Sequence, residues 1–97
     1  MLAEKYPEVF FSVGVHPYDV RGYDETIMEK YVTHPKCIAV GECGLDYYRL
    51  PEDEMAKHDE IALQKRVFIA QIDFAKRHQK PLIVHIRDAS NDSKKIL

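Results

Sequence analysis

What this 97-residue chain has little of narrows its class before any motif is read. No apolar run approaches the ~18–20 residues of a membrane span. The opening residues MLAEKYPEVF also lack the apolar centre of a signal peptide. A cytoplasmic protein without a membrane partner is therefore expected. Basic charge is not in excess: 14 Lys and Arg stand against 16 Asp and Glu, a formal net charge of −2. That excludes a broadly basic nucleic-acid surface, but not an enzyme that handles phosphate through metal ions and a few arginines. Cysteine is confined to Cys37 and Cys43. On one extended strand they would stand roughly 20 Å apart, beyond disulfide reach, so free thiols in a reducing compartment are expected. A structural zinc site needs more ligands at close spacing than this pair supplies. Repeats, low-complexity tracts and linkers are missing too, which leaves one small domain over residues 1–97.

What is present reads as a globular α/β pattern, with 45% apolar and 31% charged residues. Three short apolar runs rich in β-branched and aromatic residues read as strands: Val9 to Val15, Cys37 to Glu42, and Leu82 to Ile86. Their near-continuous apolarity predicts burial on both faces. Asp24 is placed to cap a helix over Glu25 to Val32, stopped by His34-Pro35. A longer helix is predicted from Glu54 to His78, with Leu63, Val67, Ala70 and Phe74 on one face and positive charge in its last turn. Ser90 or Asn91 could cap a further helix. The order β-α-β-α-β-α implies parallel strands joined by crossover helices. A doubly wound sheet and three units of a (β/α)8 barrel both fit, since a whole barrel needs ~250 residues.

Parallel α/β folds gather their functional groups at the carboxyl ends of the strands. Each predicted strand here finishes on an ionisable group: His16, Glu42 and His85. Arg87 shares a strand face with His85. A carboxylate with imidazoles suits a divalent ion, carboxylate favouring magnesium or manganese and imidazole extending the range to zinc and iron. Gly41 and Gly44 flank Glu42 and predict a tight turn out of the strand. The expected loop from Gly44 to Pro51 carries Asp46, Tyr47, Tyr48 and Arg49, a set suited to a phosphate and a stacked base or sugar. Each residue alone has a plainer reading. Glu42 could cap a helix or pair with an arginine, and His16 and His85 could be structural histidines. Arg87-Asp88 could be a surface ion pair, and the tyrosines could be packing. His34, His58 and His78 read as solvated. The three strand ends carry weight as a set.

Three linked segments resemble consecutive motifs of the TatD family of metal-dependent deoxyribonucleases. They are Val13-Gly14-Val15-His16-Pro17, Ala39-Val40-Gly41-Glu42-Cys43-Gly44-Leu45-Asp46-Tyr47, and Lys80-Pro81-Leu82-Ile83-Val84-His85-Ile86-Arg87-Asp88-Ala89. Gln64, Phe68 and Gln71 match the family's helix pattern. The resemblance implies an amidohydrolase-like TIM barrel with one or two divalent ions (Mg, Mn or Zn) at its mouth, hydrolysing DNA. It implies Glu42 as the carboxylate bridging the metals and His85 as a metal ligand. His16, Asp46, Arg49 and Arg87 would be substrate-binding or supporting residues. The family's first-strand His-x-His motif and its later histidine and aspartate ligands have no counterpart here, so a partial barrel of about three units is expected. Self-association or a complementing chain would complete it. A related amide or ester hydrolase, and a non-catalytic assembly module, are the alternatives.

Overall fold

The computed structural model describes residues 2–97. A short helix α1 (Leu2–Lys5) leads into β1 (Phe11–Val13), followed by a 3-10 helix (Pro17–Gly22). Then come α2 (Glu25–Val32), β2 (Cys37–Asp46), α3 (Glu54–His78), β3 (Leu82–Arg87) and α4 (Ser90–Ile96). The strands form one parallel sheet in the order β1-β2-β3. The expected alternation is therefore present, and parallel neighbours bring all three carboxyl ends to one rim.

The long helices obey their local signals. Asp24 caps α2 by accepting the Thr26 N–H, and Asp53 caps α3 by accepting the Ala56 N–H. Gln79 ends α3 in the left-handed conformation, after Lys76, Arg77 and His78 have placed positive charge beside the terminal carbonyls. The buried face of α3 is Gln64, Val67, Phe68, Gln71, Phe74 and Ala75. This corrects the expected stripe: Val67 and Phe74 belong to it, whereas Leu63 and Ala70 are only half-buried. Two glutamines lie inside it. At α4 the cap position is Ala89, with no side-chain capping bond, rather than Ser90 or Asn91.

The core is two clusters on the helix side of the sheet. Met28, Val32, Cys37, Val40, Phe74 and Ala75 form one; Cys43, Leu45, Phe68 and Ala89 form the other. Burial on both faces holds only for β2, the one strand with a neighbour on each side; β1 and β3 are intermediate or exposed. Both cysteines are free and buried. Burial raises the Cys43 thiol to about 11. Alkylation of Cys43 at neutral pH should thus run roughly 100-fold slower than that of a free cysteine. Peptide mapping after brief iodoacetamide treatment measures it, and fast labelling would mean that β2 does not pack on Phe68.

The strand ends differ from the expectation in a way that matters. β1 stops at Val13 because the Val15 backbone leaves the ladder to bond a helix side chain. β2 does not finish at Glu42 but runs on to Asp46, and β3 runs to Arg87. The predicted exit turn at Gly44 is therefore absent. Glu42 sits where the register slips: Gly41 pairs with Ile83 and Cys43 with Val84, so Glu42 is an extra residue, a bulge in β2.

Candidate metal centre

Glu42 comes from that bulge. A bulge re-aims a side chain out of the regular alternation, and Gly41 permits it at a φ of 154°. Beyond it, Cys43 and Leu45 pack on the helix side while Asp46 turns to the opposite face, toward His85 on β3. His16 arrives from the loop after β1 and caps the 3-10 helix, its Nδ1 accepting the Tyr18 N–H at 3.1 Å. The rings of His16 and His85 lie 4.5 Å apart at 54°. One ligand atom each from His16, Glu42 and His85 lies within 4.8 Å of the others, a grouping able to hold a metal ion. The three strand-associated residues singled out as a set are thus brought together. Among the described residues Glu42 neither caps a helix nor meets an arginine; its neighbour is His85 Nδ1 at 3.5 Å.

Asp46 supports this group and is itself 2% exposed. It accepts hydrogen bonds from the Tyr18 hydroxyl at 2.8 Å and the Tyr48 N–H at 3.0 Å, and His85 Nε2 lies 2.8 Å from its second oxygen. Burial pushes its carboxyl upward. The hydrogen bonds with His85, Tyr18 and Tyr48 outweigh that, so it is held below the usual carboxylate range. An ionised Asp46 accepts from His85 Nε2–H and turns Nδ1 toward Glu42; in the neutral imidazole that nitrogen holds the lone pair.

Two glutamines on α3 hold the strand ends. Gln71 accepts the Val15 N–H at 2.8 Å and donates to the Val15 carbonyl at 3.0 Å. One heptad earlier, Gln64 does the same to Asp46, at 2.8 and 3.0 Å. Each amide replaces the strand ladder where it ends, satisfying backbone groups that burial would otherwise penalise. The residues before His16 and at Asp46 are thus pinned by one rigid helix.

The rim residues divide. Arg87 stacks on the Tyr48 ring, its guanidinium carbon 3.7 Å from the ring centroid, and forms no ion pair with Asp88 among the described residues. Arg49 is exposed on the loop after β2, and both arginines act electrostatically on the Tyr18 phenol. Tyr47 is packing: it is half-buried and donates to Asp92 at 2.8 Å. Tyr48 is 54% exposed. His34 and His78 are half-buried against Phe11 and Phe74 rather than solvated; His58 is exposed. Sequence reasoning missed Tyr18, for which nothing in the pattern spoke. It also left the glutamines without a role, although two amides seven apart in an apolar stripe were visible.

With this geometry in place, comparison with known proteins is informative. A family model described as TatD related DNase matches residues 1–97. A TATDN1 homolog of Vairimorpha ceranae is 40% identical over 96 residues, covering 98% of this chain and 31% of that protein. The 3'-5' ssDNA/RNA exonuclease TatD of Escherichia fergusonii is 36% identical, covering 91% of this chain and 32% of that protein. The crystal structure of the TatD homolog YJJV from Escherichia coli K12 superposes with a TM-score of 0.74 at 25% identity. It covers 97% of this chain and 36% of its own. The chain therefore spans about one third of the length of the relatives it matches.

Proposed function

Because the chain belongs to the TatD related DNase family, we propose that it carries part of a divalent-metal centre for hydrolysing phosphodiester bonds in DNA. The observation that carries this reading is the convergence of His16, Glu42 and His85 in the carboxyl-terminal half of a parallel sheet. The donor set fits an ion: a carboxylate freed by a bulge, and an imidazole whose Nδ1 lone pair is presented by a buried carboxylate. Glu42 and His85 are the proposed ligands, and a magnesium, manganese or zinc ion, or a pair of them, is the expected occupant. A bound divalent ion supplies Lewis acidity and lowers the pKa of water.

The remaining residues act around that point. Asp46 is a positioning residue, holding His85 in one tautomer and orientation, with Tyr18 and the Tyr48 N–H closing its other acceptor sites. Arg87 and Arg49 would offset charge on phosphate oxygens, and exposed Tyr48 beneath Arg87 offers a surface for a base. Relatives carrying the names 3'-5' ssDNA/RNA exonuclease TatD and metal-dependent hydrolase support nucleic acid as the substrate class. The described residues contain no helix long and apolar enough to cross a membrane.

The sheet leaves apolar groups uncovered. Ile38 is 54% and Ile83 43% exposed, and an apolar hollow lies between Phe11, Val13 and Tyr31. Further β/α units, from a longer chain, a second copy or a complementing chain, would cover them and add ligands. The test is cleavage of linear DNA by the purified chain with magnesium or manganese, beside a chelator control and a Glu42→Ala variant, with its mass in solution measured in parallel. Metal-dependent cleavage lost in Glu42→Ala is the expected result for a self-completed site. Cleavage equal in both preparations would sink the assignment of Glu42. No cleavage by a monomer would make the chain an inactive part of the site.

A further inference from the structure

We propose that Glu60 is a positioning residue of the metal centre: it accepts the second amide N–H of Gln64 and so fixes the clasp that holds Asp46 behind His85. The proposal rests on the reading of the site as a metal centre and adds to it a residue that touches neither proposed ligand. Gln64 is buried, so each of its polar atoms needs a partner inside the protein. Its Oε1 accepts the Asp46 N–H at 2.8 Å, and its Nε2 donates to the Asp46 carbonyl at 3.0 Å. One N–H of the amide is then left, and Glu60 Oε2 receives it at 3.3 Å. Glu60 stands one helical turn before Gln64, the spacing that puts both on the same face of α3. Its side chain is mostly buried, and its other oxygen pairs with Arg21 at 2.8 Å.

These contacts close a ring. Arg21 lies three residues after Tyr18 on the 3-10 helix, and the Tyr18 hydroxyl donates to Asp46. From Asp46 the ring runs through Gln64 and Glu60 to Arg21, and back along the 3-10 helix to Tyr18. The 3-10 helix is thereby fastened at two points, and both fastenings converge on one buried amide. Gln71 supplies the contrast. It clasps Val15 with the same pair of bonds, but the residue one turn before it is Val67, and its second N–H has no acceptor among the described residues. Of the two clasps, the one backed by a carboxylate is the one whose strand residue orients a proposed metal ligand. Without Glu60 the Gln64 amide would hold a buried donor unpaired, and turning that donor toward water would compete with its hold on Asp46. Arg21 is exposed, so its pair with Glu60 is a tether of small energetic weight beside the buried contact.

Amide hydrogen exchange of the 15N-labelled chain, followed by NMR without metal, tests this beside manganese titration of the same proteins. Glu60→Leu removes both contacts. Glu60→Gln keeps an oxygen for the Gln64 N–H and gives up the charge, and Glu54→Gln removes an exposed charge of α3 as the control. In Glu60→Leu the Asp46 N–H should exchange about tenfold faster, the effect of leaving one buried donor without its partner, while the Val15 N–H on the Gln71 clasp keeps its rate. Manganese affinity should fall about fivefold, less than for loss of the carboxylate directly behind the ligand. Glu60→Gln should bring both readouts to within about twofold of the parent chain, and Glu54→Gln should leave both unchanged. Equal acceleration of the Asp46 and Val15 amides would reduce Glu60 to a part in general stability and overturn the proposal. So would an unchanged Asp46 rate or manganese affinity in Glu60→Leu, or a Glu60→Gln variant as impaired as Glu60→Leu. A parent chain that binds no manganese would instead remove the metal centre. That failure is distinguishable, because the exchange rates are read without metal and still decide whether Glu60 holds Asp46.

Discussion

Replacing Gly44 by alanine is expected to lower the unfolding free energy by about 3–5 kcal/mol, combining overpacking with a strained backbone. Gly44 has a φ of 144°, a region that residues with a Cβ rarely enter. A Cβ at this position would also lie deep inside the van der Waals radius of the His85 carbonyl oxygen. That oxygen belongs to the β3 residue paired with Gly44, so neither strand can yield without opening the sheet beside the site. A small domain has only ~5–15 kcal/mol of total stability, so the variant should be largely unfolded or show a much lower urea midpoint. Gly22 supplies the control. A Cβ there meets nothing within 4 Å, and Gly22→Ala should change stability by less than about 0.5 kcal/mol. Equal urea midpoints for the parent chain and Gly44→Ala would mean that β2 does not continue past Glu42 against β3.

Asp46→Asn should have the second large effect, on two separate readouts. The carboxylate is buried and surrounded by His85, the Tyr18 hydroxyl and the Tyr48 N–H. An amide keeps one acceptor oxygen and turns an N–H₂ toward a group that donates, so a buried polar contact is lost at a cost of about 1–3 kcal/mol. The same change frees His85 from its tautomer. Manganese affinity should fall about 10–100-fold, the usual consequence of losing a carboxylate behind a ligating histidine. Tyr18→Phe, which leaves the Asp46–His85 contact in place, should cost stability and affinity less. Unchanged manganese binding in Asp46→Asn would exclude the positioning role. The pH dependence has a definite sign. The Asp46 carboxyl is held below its ordinary value, ~3.9 in an unfolded chain. Its contribution is therefore complete above about pH 4 and is lost as pH falls through the folded value. The acid limb of the stability curve should be shallower in Asp46→Asn.

The legible part of this protein was the part governed by local chemistry. The Asp24 cap, the apolar spacing and the positive last turn of α3 located α2 and α3 within their observed bounds, since each acts on the backbone next to it. Alternating elements implied the parallel sheet, because a parallel pair needs a crossover. His16, Glu42 and His85 could be singled out as a set because parallel strands must bring their carboxyl ends to one side. The boundary of β2 was misplaced for a reason that is not local. Gly41 and Gly44 break strand propensity, but the ladder to β3 holds the strand through both, and propensity yields to pairing.

The site's second layer lay beyond sequence altogether. That Tyr18 reaches Asp46 from 28 residues away, or that Gln64 and Gln71 replace the missing ladder at two strand ends, follows from how α3 lies across the sheet. No spacing encodes that placement. The sequence by itself determined the alternation of strands and helices and singled out His16, Glu42 and His85, which the fold brings together. Tertiary structure alone decided what faces each ring nitrogen of His85. A tautomer depends on the neighbour at each ring nitrogen, and for His85 that neighbour is a distant residue that only the fold brings near.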